Sequence, residues 1–370
     1  MQVRDLRNIR AAEVRLGPGL NLFVGRNAQG KTSLLEAAGL LARGRSFRTE
    51  HTEGLVRHGA PVGQVGGIVV RDERRTTLGV EIGPVRRRLR VDGRDASPRD
   101  YYGRLEVVVY STDRLRVIKG SMRERRLYVD RAAAALWPSY RQALRDYERV
   151  LQQRNAALES GRADLEIWNE RFVEIGARLR QRRSEYLRRL RTVLHRGFRP
   201  NEESYDIALG EGLDHPSEAA QQATLRAEIE ARRSDERRAR RSLAGPHRDA
   251  ISIRVGDRDA GLDASSGQGR SALLALSLAA LDLYREERGS PAVALLDDLD
   301  SELDEERTAV LCRDVSARGQ ALVSTAHPGW ARRLGQGARV FRVADGQITP
   351  ERASEGAMFV VPDQGIRRES

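Results

Sequence analysis

The sequence predicts an α/β protein: a P-loop core carrying an antiparallel β subdomain, with an α-helical arm inserted in its middle. Three observations predict it. A strand-like run, Leu20–Val24, meets a glycine-bearing loop and then an apolar helix over Thr32–Ala42. Short β-rich runs follow between Val62 and Val91. The period then turns helical from Tyr140 to Val193, before β-type segments return from Ile251 onward.

Taken in order, Glu13–Leu16 and Leu20–Val24 read as two strands joined at Gly17-Pro18-Gly19. Gly66–Val70, Thr76–Ile82 and Arg86–Val91 form a meander ending in the turn Asp92-Gly93, and Leu105–Tyr110 reads as a buried strand. Tyr140, Leu144, Tyr147, Leu151 and Leu158 then recur at helical spacing, and Trp168 to Val193 repeats the stripe after a break at Ser160-Gly161. A loop around Pro200–Pro216 leads to a third, very polar helix over Leu225–Ser242. The last strands are Ile251–Val255, Ala292–Leu296, Ala321–Thr325 and Arg339–Val343, the final one turning at Asp345-Gly346. The expected division is 1–120 and 244–350 for the two parts of the head, 121–243 for the arm, and 351–370 for a polar tail.

Composition narrows the function classes. No stretch approaches the roughly 18 apolar residues of a membrane helix, and Met1 to Arg10 has no apolar signal region. The single Cys312 excludes an internal disulfide or a paired-cysteine zinc site. A cytoplasmic protein without a membrane partner is expected. The net charge of +12 points to a polyanion such as nucleic acid, with plain solubility as the bland reading. Of 65 basic residues only Lys31 and Lys119 are lysine; genome composition is the bland reading of that bias, and the alternative is that the two lysines are candidate positions where a compact ammonium is needed.

Gly25-Arg26-Asn27-Ala28-Gln29-Gly30-Lys31-Thr32 matches the phosphate-binding pattern GxxxxGK[ST] in full, and Ser33 follows. Glycines let backbone N–H groups converge on phosphate oxygens, and the helix start adds partial positive charge. Lys31 is expected to reach the β- and γ-phosphates of ATP, and Thr32 to ligate Mg²⁺. Ala292–Leu296 ends in Asp297-Asp298, adjacent acids that are costly together without a cation. Asp297 is the candidate metal ligand, and Asp298 the candidate to polarise an attacking water. Ser265-Ser266-Gly267-Gln268 opens an apolar helix, Arg270–Tyr284, and alone reads as a capped helix start. Followed by Asp297-Asp298, then Ser301 to Asp304, then His327 after a strand, it resembles the order of ABC ATPases: signature, Walker B, D-loop and switch histidine. That resemblance implies that Ser265, Gly267, Gln268 and Asp304 complete the nucleotide site of a second subunit, giving a two-fold dimer around two ATP molecules.

The more specific resemblance is to the bacterial RecF family. It rests on Gly25 through Glu36 with Gly44-Arg-Ser-Phe-Arg48, on Lys119 through Arg126 ending at Asp130, on Tyr147 through Asn155, and on Gly245-Pro-His-Arg-Asp249. It covers about Asn8 to Gly346. It implies a Rad50/SMC-like head with a short helical lobe, double-stranded DNA as ligand at gaps or stalled forks, RecO, RecR and RecA as partners, and slow ATP turnover. This sequence departs from the family pattern at Thr112, where proline is expected and no glutamine stands nearby, and at Ala264, in place of a bulkier residue.

Arg171–Pro200 holds ten arginines against two acids, and the third helix adds more. Arg178, Arg180, Arg182, Arg183, Arg188, Arg189, Arg191, Arg237, Arg238 and Arg241 are the candidate DNA contacts, tracking phosphate. A solvated, salt-bridged arm is the alternative. Among rival functions, a transporter subunit would place its signature much nearer the P-loop than the 234 residues found here. A long-armed SMC or Rad50 protein needs heptads this chain cannot hold, and nothing marks a small-molecule kinase's acceptor pocket. A non-hydrolysing ATP-gated clamp stays open.

Overall fold

The computed structural model describes residues 1–49, 54–71, 73–83, 86–161, 165–197, 199, 203–215, 217–299, 305–329 and 337–351. The chain begins with β1 (Gln2–Leu6) and β2 (Ile9–Glu13), then β3 (Leu20–Val24) and α1 (Lys31–Arg43). Next come β4 (Gly63–Arg71), β5 (Arg74–Ile82), β6 (Arg87–Val91), β7 (Arg94–Asp95), α2 (Pro98–Tyr101) and β8 (Val107–Tyr110). The helical stretch holds α3 (Arg116–Lys119), α4 (Met122–Leu136), α5 (Pro138–Ser160) and α6 (Leu165–Arg196), then β9 (Tyr205–Leu209), α7 (Glu218–Ala231) and α8 (Arg233–Ala239). The chain closes with β10 (Ile251–Val255), β11 (Arg258–Asp259), α9 (Ser266–Arg288), β12 (Val293–Leu296), α10 (Glu305–Arg318), β13 (Ala321–Thr325), β14 (Arg339–Ala344) and β15 (Gln347–Pro350).

β3 is buried at every position, as the central strand of a sheet covered on both faces must be. It lies in the order β15-β14-β3-β13-β12-β8, where β14, β3, β13, β12 and β8 run parallel and β15 is an antiparallel edge. Phe23 faces a core shared with Leu34, Leu35 and Leu41 of α1 and with Val65, Leu78 and Val80 of the antiparallel sheet β2-β1-β4-β5-β6-β7. Leu22 and Val24 face the opposite core, built with Leu273, Leu274 and Leu276 of α9 and with the helices beyond it. Asn21, fully buried in β3, accepts from the Gly17 N–H at 2.7 Å and donates to the carbonyls of Gly17 and Gly19, both at 3.0 Å. A buried amide is tolerated only when so satisfied, and here it shapes the turn that feeds the strand.

Three sequence expectations shift. The strand expected at Glu13–Leu16 is found instead at Ile9–Glu13, overlapping at Glu13 alone, because residues 9–13 pair with β1 in the register Leu6↔Ile9 to Gln2↔Glu13. The loop expected around Pro200–Pro216 contains β9, whose Tyr205, Ile207 and Leu209 alternate inward. It pairs with β10 across the boundary drawn at 243. The polar helix expected over Leu225–Ser242 is two helices, broken at Arg232, where φ is −109° and ψ 8°. The segment leading into the arm is itself a helix, α4. Among the described residues no helix is long and apolar enough to cross a membrane.

Candidate nucleotide site

β3 delivers its last residue, Val24, directly to the glycine loop, and the loop delivers Gly30 as the N-cap of α1. Gly30 has φ +112°, a conformation side chains rarely adopt. At Gly25 a Cβ would fall 2.1 Å from the Val343 carbonyl oxygen of β14, so only glycine lets that neighbour pack there. Lys31 is buried, and its Nζ donates to the carbonyls of Gly25 at 2.7 Å and Arg26 at 3.0 Å, which keeps the ammonium inside the loop. Ala28 takes φ +65°, and its carbonyl accepts from Asn8 Nδ2 at 3.3 Å. Asn8 also accepts from Ser33 Oγ at 3.0 Å. Gln29 is clasped from the far side: its Oε1 accepts from the Asp345 N–H at 2.7 Å and its carbonyl from the Gly346 N–H at 2.9 Å. Asn27 lies in the exposed turn of the loop.

The parallel register brings the end of β12 beside this loop. Thr32 Oγ1 donates to Asp297 Oδ1 at 3.0 Å, and Ser324 Oγ at the end of β13 donates to the same oxygen at 2.6 Å. The Ser324 hydroxyl oxygen accepts in turn from the Asp298 N–H at 3.0 Å. Burial pushes the Asp297 carboxyl up, the Ser324 and Thr32 hydroxyls pull it back, and Asp298 next door adds to the rise. Asp298 itself has φ +56°, a left-handed backbone that costs a non-glycine residue roughly 1 kcal/mol and persists where the surroundings hold it. His327 follows β13 and is exposed; its N–H donates to Thr325 Oγ1 at 3.0 Å. Asp304 lies outside the described residues.

The signature candidates stand elsewhere, at the start of α9. Ser265 is the N-cap and forms a full capping box: its Oγ accepts from the Gln268 N–H at 3.1 Å, and Gln268 Oε1 accepts from the Ser265 N–H at 2.9 Å. Gln268 Nε2 donates to Glu203 at 2.7 Å. Ser265, Ser266 and Gly267 are exposed. The capping hydroxyl uses an acceptor lone pair and keeps its own proton for an anion. None of these bonds runs to the glycine loop.

Several contributors escaped the motif reading. Ser324 and Asn8 are single polar residues near a strand end and a turn, and only the fold brings them to the loop. Glu36, fully buried one turn into α1, holds Arg7 in a bidentate pair at 2.9 and 3.0 Å and accepts from Ser46. Arg48 then pairs with Asp113 at 2.7 Å. Burial pulls Arg48 down, but the Asp113 bond and charge, with Glu36 and Asp297 behind it, carry it above its usual value. The turn around Thr112 and Asp113 is thus tied by an ion pair to the segment that follows α1.

The candidate DNA contacts divide. Arg180 and Arg183 are corrected: both are 1% exposed and cannot reach a phosphate. Arg183 is held by Asp130 at 3.0 Å and Asp249 at 3.0 Å, and Arg180 by Asp249 at 2.7 Å and Glu228 at 3.0 Å. α6 packs against α5, α7, α9 and β9, so its inward arginines meet acids from distant segments. Arg178, Arg188, Arg189 and Arg191 are exposed but paired, with Glu174, Asp214, Glu185 and Asp206 respectively. Arg182 donates to Ser139 at 2.8 Å. Arg238 pairs with Asp235, while Arg237 and Arg241 are exposed.

No family model matches the chain. It is 36% identical over 336 residues to the DNA replication and repair protein RecF of Symbiobacterium thermophilum, covering 88% of this chain and 90% of that one. It is 33% identical over 359 residues to the RecF of Geobacter metallireducens, covering 95% and 98%. A solved structure of the recombination mediator protein RecF-ATP in the RecFOR pathway superposes with a TM-score of 0.84 at 27% identity, covering 95% of this chain and 96% of that one. An Smc head domain from Pyrococcus furiosus shares the fold, with a TM-score of 0.56 at 16% identity over 95% and 94%.

Proposed function

The chain belongs to the RecF family of DNA replication and repair proteins, and from that premise we propose that it is an ATP-dependent, DNA-binding recombination mediator. Its fold is the ABC-type ATPase head shared by RecF and SMC proteins. The observation that carries the reading is the cluster of Lys31, Thr32, Asp297 and Ser324 around a phosphate-shaped loop, set apart from an exposed, capped signature at Ser265. A site of this kind is incomplete in one subunit. Two copies, arranged head to tail, would enclose two ATP molecules, each between one subunit's loop and the other's Ser265, Gly267 and Gln268.

Within the loop, Lys31 would exchange its carbonyl partners for the β- and γ-phosphates, a charge-assisted contact stronger than the neutral ones it leaves. Asp297 is a buried acid beside a second acid and a hydroxyl, and this donor set fits a divalent cation. Thr32 and Asp297 would hold Mg²⁺, which neutralises phosphate charge when bound. Asp298 would orient and deprotonate the attacking water, and His327 would contact the γ-phosphate. Aspartate is one methylene shorter than glutamate, so turnover is slow, stimulated by DNA and second order in protein at low concentration.

The arm, residues 121–243, serves in this reading as the DNA-facing lobe, with Arg237 and Arg241 the foremost phosphate contacts. Duplex DNA at gaps or stalled forks is the substrate surface, RecR and RecO the partners, and loading of RecA the outcome. Hydrolysis releases the clamp.

Light scattering tests the dimer: ATP, but not ADP, should double the solution mass, and Lys31→Met or Ser265→Arg should prevent it. Asp298→Asn should keep the ATP dimer while lowering turnover roughly 100-fold or more, the scale of losing a general base. A mass indifferent to nucleotide would sink the sandwich. Turnover untouched by Asp298→Asn would leave the protein a clamp whose ATP is a ligand only.

A further inference from the structure

The second lysine has no place in the nucleotide chemistry above, and its contacts point elsewhere. Lys119 is the last residue of α3, and its Nζ donates to the carbonyl of Ala264, the residue immediately before the signature serine. α3 seats on the first turn of α9. A Cβ at Gly269 would sit 3.3 Å from Leu115, 3.4 Å from Ile118 and 3.6 Å from the Lys119 side chain, so a side chain at 269 would push that seat away.

The other end of the same loop is pinned by a residue six positions on. Arg125 is 2% exposed and donates to the carbonyls of Ile118 and Ile251, both at 3.0 Å. It also grips Asp259 through both carboxylate oxygens, at 3.3 and 3.4 Å. Asp259 accepts in turn from the N–H groups of Gly261 at 2.7 Å and Leu262 at 3.2 Å. At Gly261 a Cβ would lie 2.2 Å from the Arg125 guanidinium. Residues 259–265 are therefore held at their start by Arg125 acting through Asp259, and at their end by Lys119. These contacts join α3 with its preceding turn and the start of α4 to β10, β11 and the loop and first turn of α9. None touches the subunit's own glycine loop.

We propose that Lys119 is a positioning residue that fixes the signature loop for the nucleotide bound by a second copy of the chain, with Arg125 and Asp259 as its counterpart at the loop's other end. The proposal rests on the two-subunit reading above. A lysine suits the task because Ala264 offers a single carbonyl oxygen, which a rotatable ammonium can meet from a helix end without the flat, forked approach of a guanidinium. Losing that bond frees the loop while leaving the P-loop and its bound nucleotide intact.

The test separates action in trans from action in cis. Lys119→Met and Lys119→Gln are prepared in parallel so that a well-folded variant is in hand, which binding of a fluorescent ATP analogue to the monomer confirms. Each alone should bind the analogue normally yet lose ATP-dependent dimerisation and turnover by roughly tenfold or more, the scale of one hydrogen bond to a charged group. Each is then mixed with Lys31→Met, and Ser265→Arg is mixed with Lys31→Met as the reference. In a mixed dimer one site keeps both an intact loop and an intact signature, so both mixtures should regain dimer and activity. If the Ser265 mixture recovers and the Lys119 mixtures do not, Lys119 acts on its own subunit and the proposal is wrong. If the single Lys119 variants dimerise and turn over normally, it is also wrong. If neither mixture recovers, the two-subunit reading falls and takes this proposal with it.

Discussion

α6 and α8 are both arginine-rich in sequence, yet the structure employs them in opposite ways. α6 runs through the middle of the helical lobe, roughly 48 Å long at 1.5 Å per residue, and its arginines reach acids contributed by other elements. Asp130, Asp206, Asp214, Glu228, Asp249 and Glu287 all lie outside it. α8 is a seven-residue helix whose Arg237 stands exposed, as does Arg241 just beyond it; Arg238 pairs locally with Asp235, and the helix turns inward an acid, Glu236, which Arg154 of α5 holds. A run of charge therefore says nothing by itself about availability. What decides it is whether the helix carrying the run is surrounded.

The largest expected effect sharpens this contrast. Arg183→Ala should destabilise the protein by about 3–5 kcal/mol, because Asp130 would lose its buried ion-pair partner and Asp249 would be left sharing Arg180 alone with Glu228. Urea unfolding followed by helical circular dichroism measures it. If the loss is no greater than for the exposed Arg188→Ala, expected within about 0.5 kcal/mol, the distinction between inner and outer arginines fails.

A pH effect of similar origin comes next. His247, packed against Tyr147 and Phe172, shares a 2.6 Å hydrogen bond with the Tyr147 hydroxyl. Burial lowers it to about 4; the Ser242 carbonyl opposes the shift, and Arg248 and Arg126 reinforce it. Its pKa is depressed on folding, so the unfolded chain takes up this proton first as pH falls. Its contribution is complete above about 6.5 and is lost as pH falls from there through about 4, on the order of 3 kcal/mol in all. Melting temperature against pH should show this slope, and His247→Gln should flatten it. An unchanged slope would assign acid lability to other groups.

The smallest effect bears on DNA. Reversing Arg237 and Arg241 to glutamate should weaken binding and reduce the slope of log affinity against log salt by about 2, one unit for each phosphate no longer neutralised. Reversing Arg188 and Arg191, already engaged by Asp214 and Asp206, should change the slope less. Equal effects from the two pairs would restore the whole arm as the contact surface.

Legibility followed the distance over which each feature is encoded. The P-loop and Asp297-Asp298 are contiguous words, and the parallel register that joins Thr32 to Asp297 follows from a strand–loop–helix order that few other arrangements satisfy. β9 was hidden because five alternating residues between prolines carry too little period to stand out from a loop. Ser324 and Asn8 carried no local signal at all.

From the sequence alone came the α/β class, the phosphate loop, the paired acids and the basic excess, because each depends on neighbours within a few residues or on composition. Tertiary structure alone decided which arginines are spent on buried acids, which serine joins the two aspartates, and what Lys119 holds. These outcomes depend on pairs as remote as Lys119 and Ala264 or Arg183 and Asp249. Such a pair forms only when the fold has already placed both partners, and the strength of a charged contact depends on burial that no single segment determines.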